Sequence, residues 1–336
     1  MTSRSGAIDA VRLLGCVAIV AGHVWTRDAT AEILYTWHVP LFFFLAGWFW
    51  TPQRSMRTEL SKRWRTLGKP YVAWVLLLSL TTCLLIVANR AEPDRLLGGL
   101  WGGSAALQPF TTIWFVSVLF FTAVLYRAIS PLPAGWQWGL GIAGALLGAL
   151  FGPQLAATPL SAGSAIGCLI YLLAGTALNR PGMNRRWLAA TVVLAVSAVL
   201  IATGISRSMD VKFGDYGTPL LSSAVAVGIS YALVVFSTIV FDRLEAAAPT
   251  ASALARTALV IVLLHPLLLY VPGPDALRLA IGVLVPVIVG LLCLASPASE
   301  WLTGQPRRPR VRATASDRGE CRAPGDPSST RASRDT

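Results

Sequence analysis

The sequence predicts an all-α fold, a polytopic membrane bundle of about ten transmembrane helices with a disordered C-terminal tail. Three observations carry this. Of 336 residues, 54% are hydrophobic and only 13% charged. Mean hydropathy is +0.62. Apolar runs of about 20 residues, the length that crosses a ~30 Å hydrocarbon core, recur along most of the chain. Average soluble proteins carry about 25% charged residues, so this chain lacks the polar surface of a cytosolic enzyme or a disordered polymer.

The apolar runs lie at about 8–26, 34–51, 70–89, 112–129, 137–154, 161–178, 187–204, 218–240, 255–272 and 277–296. The first holds Asp9 and Arg12 and is followed by further runs, which is unlike a secretory signal. No internal repeat is visible, which counts against an inverted-repeat transporter. The connection after the second run carries Arg54, Arg57, Lys62, Arg63, Arg65 and Lys69 against Glu59 alone, and the one near 179–187 adds Arg180, Arg185 and Arg186. The loops between them balance: Arg27 with Asp28 and Glu32, Arg90 and Arg95 with Glu92 and Asp94, Arg207 and Lys212 with Asp210 and Asp215. Basic loops stay in the cytoplasm, so a multi-pass cell-membrane protein with cytoplasmic N- and C-termini is expected. This also accounts for the net charge of +12 without a nucleic-acid partner.

Residues 1–300 are therefore read as one transmembrane domain and 301–336 as a basic cytoplasmic tail. From Gln305 onward the composition is rich in Pro, Arg, Ser, Asp and Thr, too polar to offset its ordering entropy. The five cysteines, Cys16, Cys83, Cys168, Cys293 and Cys321, have no metal-ligand spacing and suggest no disulfide framework.

Ionisable residues within membrane spans are costly and mark candidate sites. On the first helix, the 11-residue step from Arg12 to His23 returns to the same face, ~16 Å along the axis. Asp9, three residues before Arg12, can pair with it. The same residues also fit an interfacial ion pair and a rim histidine. The other two histidines, His38 opening the second run and His265 late in the ninth, fall in the same outer half as His23. Imidazole suits proton removal at neutral pH. A metal site of all three is the weaker reading, since no further ligand is apparent, and no metal is predicted. Trp37, Trp48 and Trp50 flank the second run and read as interfacial belt residues.

The pattern Ile8-Asp9-x2-Arg12-x10-His23, then His38-x-Pro40-Leu41-Phe42-Phe43-Phe44-Leu45-x-Gly47, resembles the acyltransferase-3 family of integral membrane O-acyltransferases. Arg63, Leu67-x-x-Pro70-Tyr71, Trp114-Phe115 and His265-Pro266 extend the resemblance over about residues 5–296. Trp114-Phe115 and Tyr216-Gly217 lean towards the branch similar to fucose 4-O-acetylases. The resemblance implies transfer of an acyl group, usually acetyl, from cytoplasmic acyl-CoA (acetyl-CoA as donor). The acceptor is a hydroxyl of an extracytoplasmic glycan, a lipid-linked sugar or glycolipid, or a small hydroxylated natural product. It puts the family's essential Arg and His on Arg12 and His23. Two positions depart from the pattern: Ala46 stands where a Ser is common, and Thr66 where many members have a second Arg, which Arg65 adjoins.

Acyl transfer needs a base for the hydroxyl proton and stabilisation of an oxyanion. His23 fits the first role, with His38 orienting the acceptor or assisting. Arg12 is assigned to orienting the donor pantetheine or to holding the first helix through Asp9. Arg57, Arg63 and Arg65 are candidates for the CoA phosphates, because guanidinium groups bind phosphate bidentately; the same charges also fit a pure topology signal. His265 suits either the site or a structural hydrogen bond. The competing reading of the whole chain is a polytopic transporter or exporter of a polar metabolite. It would favour Gly- or Pro-broken helices in corresponding halves and mid-membrane carboxylates. A non-catalytic scaffold would have no need of the Arg–His face.

Overall fold

The computed structural model describes residues 3–25, 30–179 and 186–307. Among these residues all regular structure is helical. The α-helices are α1 (Ser3–Val24), α2 (His38–Trp48), α3 (Met56–Arg63), α4 (Lys69–Val87), α5 (Asp94–Trp101), α6 (Ile113–Ile129) and α7 (Ala134–Ala156), followed by α8 (Ser164–Leu178), α9 (Trp187–Ala202), α10 (Leu221–Arg243), α11 (Ala248–Ala255), α12 (Ala258–Leu268), α13 (Asp275–Ala295) and α14 (Ser299–Thr303).

Every apolar run of the sequence falls largely on helix, though the helices differ in length. Among the described residues six helices are long and apolar enough to cross a membrane, and the bent pair Glu245–Ala255 and Ala258–Leu268, angled by 56°, brings the number to seven. Ile113–Ile129 and Trp187–Ala202 are apolar but shorter. The run at 34–51 is divided between a π-helical turn, Ala31–Tyr35, and the 11-residue α2. Its Leu41, Phe43 and Phe44 are fully buried in protein. An apolar run records only that a segment avoids water, and α2 satisfies that with neighbouring helices.

The basic connection is not a loop either. Ser55 caps α3 by accepting the Thr58 N–H at 3.2 Å, and the helix runs through a π-helical segment, Trp64–Gly68, into α4. Gly68 permits this, because a Cβ there would strike the Trp64 ring. Along α4, Leu76, Leu80 and Leu84 form an exposed apolar stripe, as do Leu284, Ile288 and Leu292 on α13. Apolar stripes facing outward at helical spacing suit a lipid environment.

Helix α1 lies inside the bundle, packed against α2, α10, α11, α12 and α13. Helices α2 and α8 pack through glycines: a Cβ on Gly47 would strike the Leu172 carbonyl, and one on Gly175 that of Phe44. Such small residues let helix backbones meet where lipid offers no hydrophobic drive. One end of the bundle gathers the start of α1, the α3 region and α14, through Gly6 against Ala248, Arg65 with Glu300, and Arg256 with Pro306. The opposite end gathers the 88–112, 157–163 and 203–220 connections, through Trp101 with Ala157 and Lys212 with Ala106.

The start of the expected tail is ordered. The Trp74 indole donates to the Leu302 carbonyl at 2.9 Å, and the Ser299 hydroxyl donates to the Gln305 carbonyl at 2.8 Å. Residues 308–336 lie outside the described residues, as do Arg27, Asp28, Arg180 and Arg185.

The alternation of basic and balanced ends generates a direct expectation. A cysteine at Ser61 should be shielded from a membrane-impermeant maleimide added to intact cells, and a cysteine at Glu92 should react. The opposite labelling pattern would invert the assigned orientation.

Candidate active site

Three histidines from three helices meet at the end opposite the basic helix α3. His23 lies in the last turn of α1, and its ring meets that of His265 on α12 edge-to-face, 5.0 Å between centroids. His38 begins α2, its ring 4.9 Å from that of Tyr35. Each histidine uses the same local bond: Nδ1 donates to the carbonyl four residues earlier, Ile19 for His23 at 2.8 Å, Leu34 for His38 at 2.6 Å and Ile261 for His265 at 2.8 Å. A carbonyl only accepts, so the proton of each neutral ring sits on Nδ1 and leaves the Nε2 lone pair available as a base. His265 is fully buried and its Nε2 has no hydrogen-bond partner among the described residues.

Pro266 helps to assemble this end. It has no N–H, which frees the Val262 carbonyl of α12 from its usual helical partner. The Thr112 hydroxyl takes up that carbonyl at 2.7 Å, and the Gln108 amide donates to the Pro266 carbonyl at 2.9 Å. The segment leading into α6 is thereby docked on α12. Phe115 then packs edge-to-face on both Phe42 and Phe43, fixing α6 against α2.

A cavity of about 530 Å³ opens at this end, walled by His23, His38, Tyr35, Trp114, Arg95 and Lys212 among others. Lys212 belongs to a 203–220 connection that folds inward. Met209, Val211 and Tyr216 are buried, and the Tyr216 hydroxyl donates to the Ser164 carbonyl at 3.2 Å. Gly214, at φ +80°, lies so close to Gly152 of α7 that a Cβ would strike its backbone. Burial pushes the Lys212 ammonium down to about 8, against the raising effect of Asp210; the group is still mostly protonated at pH 7. Burial likewise raises the Asp210 carboxyl, opposed by the Lys212 charge.

The sequence profile of the acyltransferase-3 family, described as an acyltransferase domain, matches residues 5–299. The chain belongs to that family. Neither a curated protein nor a solved structure matches it. The protein is thus a membrane acyltransferase, and the family match spans both the histidine cavity and the basic end.

In this acyltransferase the other residues singled out from sequence stand away from the histidines. Arg12 pairs with Asp9 at 2.8 Å and lies over the Phe49 ring at 5.7 Å, towards the basic end of α1. Arg57 and Arg65 line a second cavity of about 520 Å³ together with Lys62, Thr66 and Glu300. Glu300 of α14 reaches back to Arg65 at 2.7 Å and Lys69 at 3.3 Å. Arg63 departs from the expected phosphate role. One turn from Glu59 on the same helix, it points inward and bonds that carboxylate at 2.6 Å.

Glu59 is 0% exposed and also faces Arg54 at 3.3 Å and Arg127 at 3.8 Å. Arg127 lies over the Trp50 ring at 4.1 Å and donates to the Thr51 and Pro52 carbonyls. The cluster ties α3 to α6. Among the described residues no group of three or more His, Cys, Asp or Glu side chains is arranged to hold a metal ion.

By charge alone Lys212 is one member of a balanced connection, with Arg207, Asp210 and Asp215. The available signal was its apolar setting, Met209-Asp210-Val211-Lys212-Phe213-Gly214, which is unusual for a connection in water.

Removing one partner from a buried ion cluster leaves charge unpaired, at a cost of about 3–5 kcal/mol. Glu59→Gln should therefore lower the thermal midpoint and the accumulated level of the acyltransferase, while Arg57→Gln should leave both unchanged. A Glu59→Gln protein as stable as the parent would contradict the structural role of the cluster.

Proposed function

We propose that this acyltransferase moves an acyl group, acetyl in the simplest case, from cytoplasmic acyl-CoA to a hydroxyl of an extracytoplasmic acceptor. The acceptor class is a glycan, a lipid-linked sugar or a small hydroxylated natural product, and the fucose 4-O-acetylase-like branch is part of this reading. The observation that carries it is that His23 and His38 line one cavity, with His265 packed behind the His23 ring, in a chain whose family transfers acyl groups.

In the proposed reaction the acceptor hydroxyl gives its proton to Nε2 of His23. Its oxygen attacks the thioester carbonyl, and the carbon–sulfur bond breaks to release the CoA thiolate, which takes that same proton back from the His23 imidazolium. The His23 Nδ1–H stays on the Ile19 carbonyl throughout, which holds the ring in the basic tautomer and supports the developing imidazolium. His265 packs on the His23 ring and limits its rotation, and His38 orients the acceptor beside Tyr35.

The donor is assigned to the basic end, where the guanidinium groups of Arg57 and Arg65 suit the CoA phosphates. From there the pantetheine arm would extend past Arg12 towards His23, ~16 Å further along α1. Arg12 has a planar fork for amide or phosphate oxygens beyond the one Asp9 bond.

His23→Ala should lower transfer from labelled acetyl-CoA by ~10²–10⁴-fold at unchanged protein level, the usual loss for an acid–base group. Mass spectrometry of envelope glycans and secreted metabolites should lose the same acetyl increment in cells carrying His23→Ala and in cells lacking the protein. Unchanged turnover in His23→Ala would remove His23 as the base. Charge reversal of Arg57 or Arg65 should raise the Michaelis constant for acetyl-CoA about tenfold, the scale of one charge-assisted hydrogen bond, and leave that for the acceptor alone. Equal effects on both constants would move the donor elsewhere.

A further inference from the structure

We propose that the histidine-end cavity binds its acceptor through an anionic group, a carboxylate or phosphate, held by Lys212 and Arg95. This deepens the proposed function and rests on that cavity being the acceptor site.

Lys212 is 8% exposed and lines the cavity. Its ammonium donates to the Ala106 carbonyl at 2.8 Å and the Thr111 hydroxyl at 2.7 Å. Both partners are neutral, and an ammonium has three donors. Among the described residues no carboxylate lies within ion-pair distance of Lys212 or of Arg95. Arg95 uses a single nitrogen, Nη1, for the Gln108 carbonyl at 3.1 Å and the Tyr270 hydroxyl at 3.2 Å. The rest of its fork remains for a ligand.

The other charges of the cavity are already engaged. Arg278 pairs with Asp275 at 3.3 Å. The Asp210 carboxylate accepts the backbone N–H groups of Lys212 and Phe213. A buried cation whose direct hydrogen-bond partners are all neutral is costly to keep, Asp210 offsets its charge only in part, and a bound anion would relieve the rest. A neutral acceptor would gain little from either cation and would leave the desolvated Lys212 ammonium with only the more distant Asp210 charge to offset it.

Position supports the same assignment. Lys212 reaches the cavity from a loop clamped on α7 by the Gly152–Gly214 contact and by Tyr216, so its ammonium is pre-organised and little ordering entropy is lost on binding. Arg95, at the start of α5, is tied by its two hydrogen bonds to the same 106–111 segment and to the end of α12. A sugar whose anion sits on these two groups occupies the cavity that His23 and His38 also line.

The test uses the purified full-length chain in detergent and three probes at matched ionic strength: glucuronate, glucose 1-phosphate and methyl glucoside. The readout is the ligand-induced rise in melting temperature, which tracks binding to the native state. At least one anionic probe should raise the midpoint, and methyl glucoside should not. The stronger of the two anions distinguishes a carboxylate from a phosphate site. Lys212→Met and Arg95→Gln should each weaken anion binding about tenfold or more, the loss of one charge-assisted contact, while Arg207→Gln outside the cavity should not. Arg95→Gln decides the matter if Lys212→Met fails to fold.

The proposal is overturned if methyl glucoside binds as well as the anions, if no anion binds, or if binding survives both substitutions. Labelled acetyl transfer to envelope extract is measured in parallel. A protein that binds anions but transfers no acetyl group keeps the anion site and loses the proposed acetyl transfer to an envelope acceptor. A protein that transfers but ignores the anions does the reverse.

Discussion

The bond from each imidazole Nδ1–H to the carbonyl one helical turn earlier is the interaction on which the proposed chemistry depends. In water a histidine samples both tautomers and titrates freely. Tethered at Ile19, Leu34 and Ile261, the three rings are each held with the lone pair on Nε2. The tether is available only because each histidine lies on, or just after, a helical turn whose carbonyl can accept a second bond. Helix propensity, tautomer and basicity are thus parts of one arrangement.

Holding three such helices together takes a second set of constraints. Membrane bundles cannot rely on apolar burial to bring helices into contact, and this one uses close backbone approach and polar capture instead. Gly47 and Gly175 let α2 and α8 touch. Pro266 releases the Val262 carbonyl for Thr112, and the Gly152–Gly214 contact pulls the Lys212 loop into the bundle. At the far end Glu59, Arg63 and Arg127 connect α3 with α6. Glu300 brings α14 onto the same basic surface. The histidine cavity and the basic cavity are therefore joined through α1, which carries Arg12 towards one and His23 towards the other.

Much of this was legible in the sequence, and the remainder was hidden for identifiable reasons. The helical class, the segments that form it and the shared face of Arg12 and His23 follow from composition and the 3.6-residue period. What covers each run did not follow, because an apolar run such as that containing Phe43 and Phe44 reads the same whether lipid or protein covers it. Charge counting found the basic end but not its internal pairing. The Glu59-x-x-x-Arg63 spacing already allowed a one-turn ion pair, and treating each arginine as a free ligand overlooked it. Lys212 cancels against nearby acids in a charge count, which carries no sign that its loop buries Met209, Val211 and Tyr216. The meeting of His23 with His265 joins residues far apart in sequence and required the three-dimensional fold.

The most direct measurement is the structure of the full-length protein bound to a non-hydrolysable thioether analogue of acetyl-CoA. The account predicts the nucleotide phosphates against Arg57 and Arg65 and the acetyl end directed past Arg12 towards Nε2 of His23. Phosphates seated in the histidine cavity, or an acetyl end directed away from His23, would contradict it.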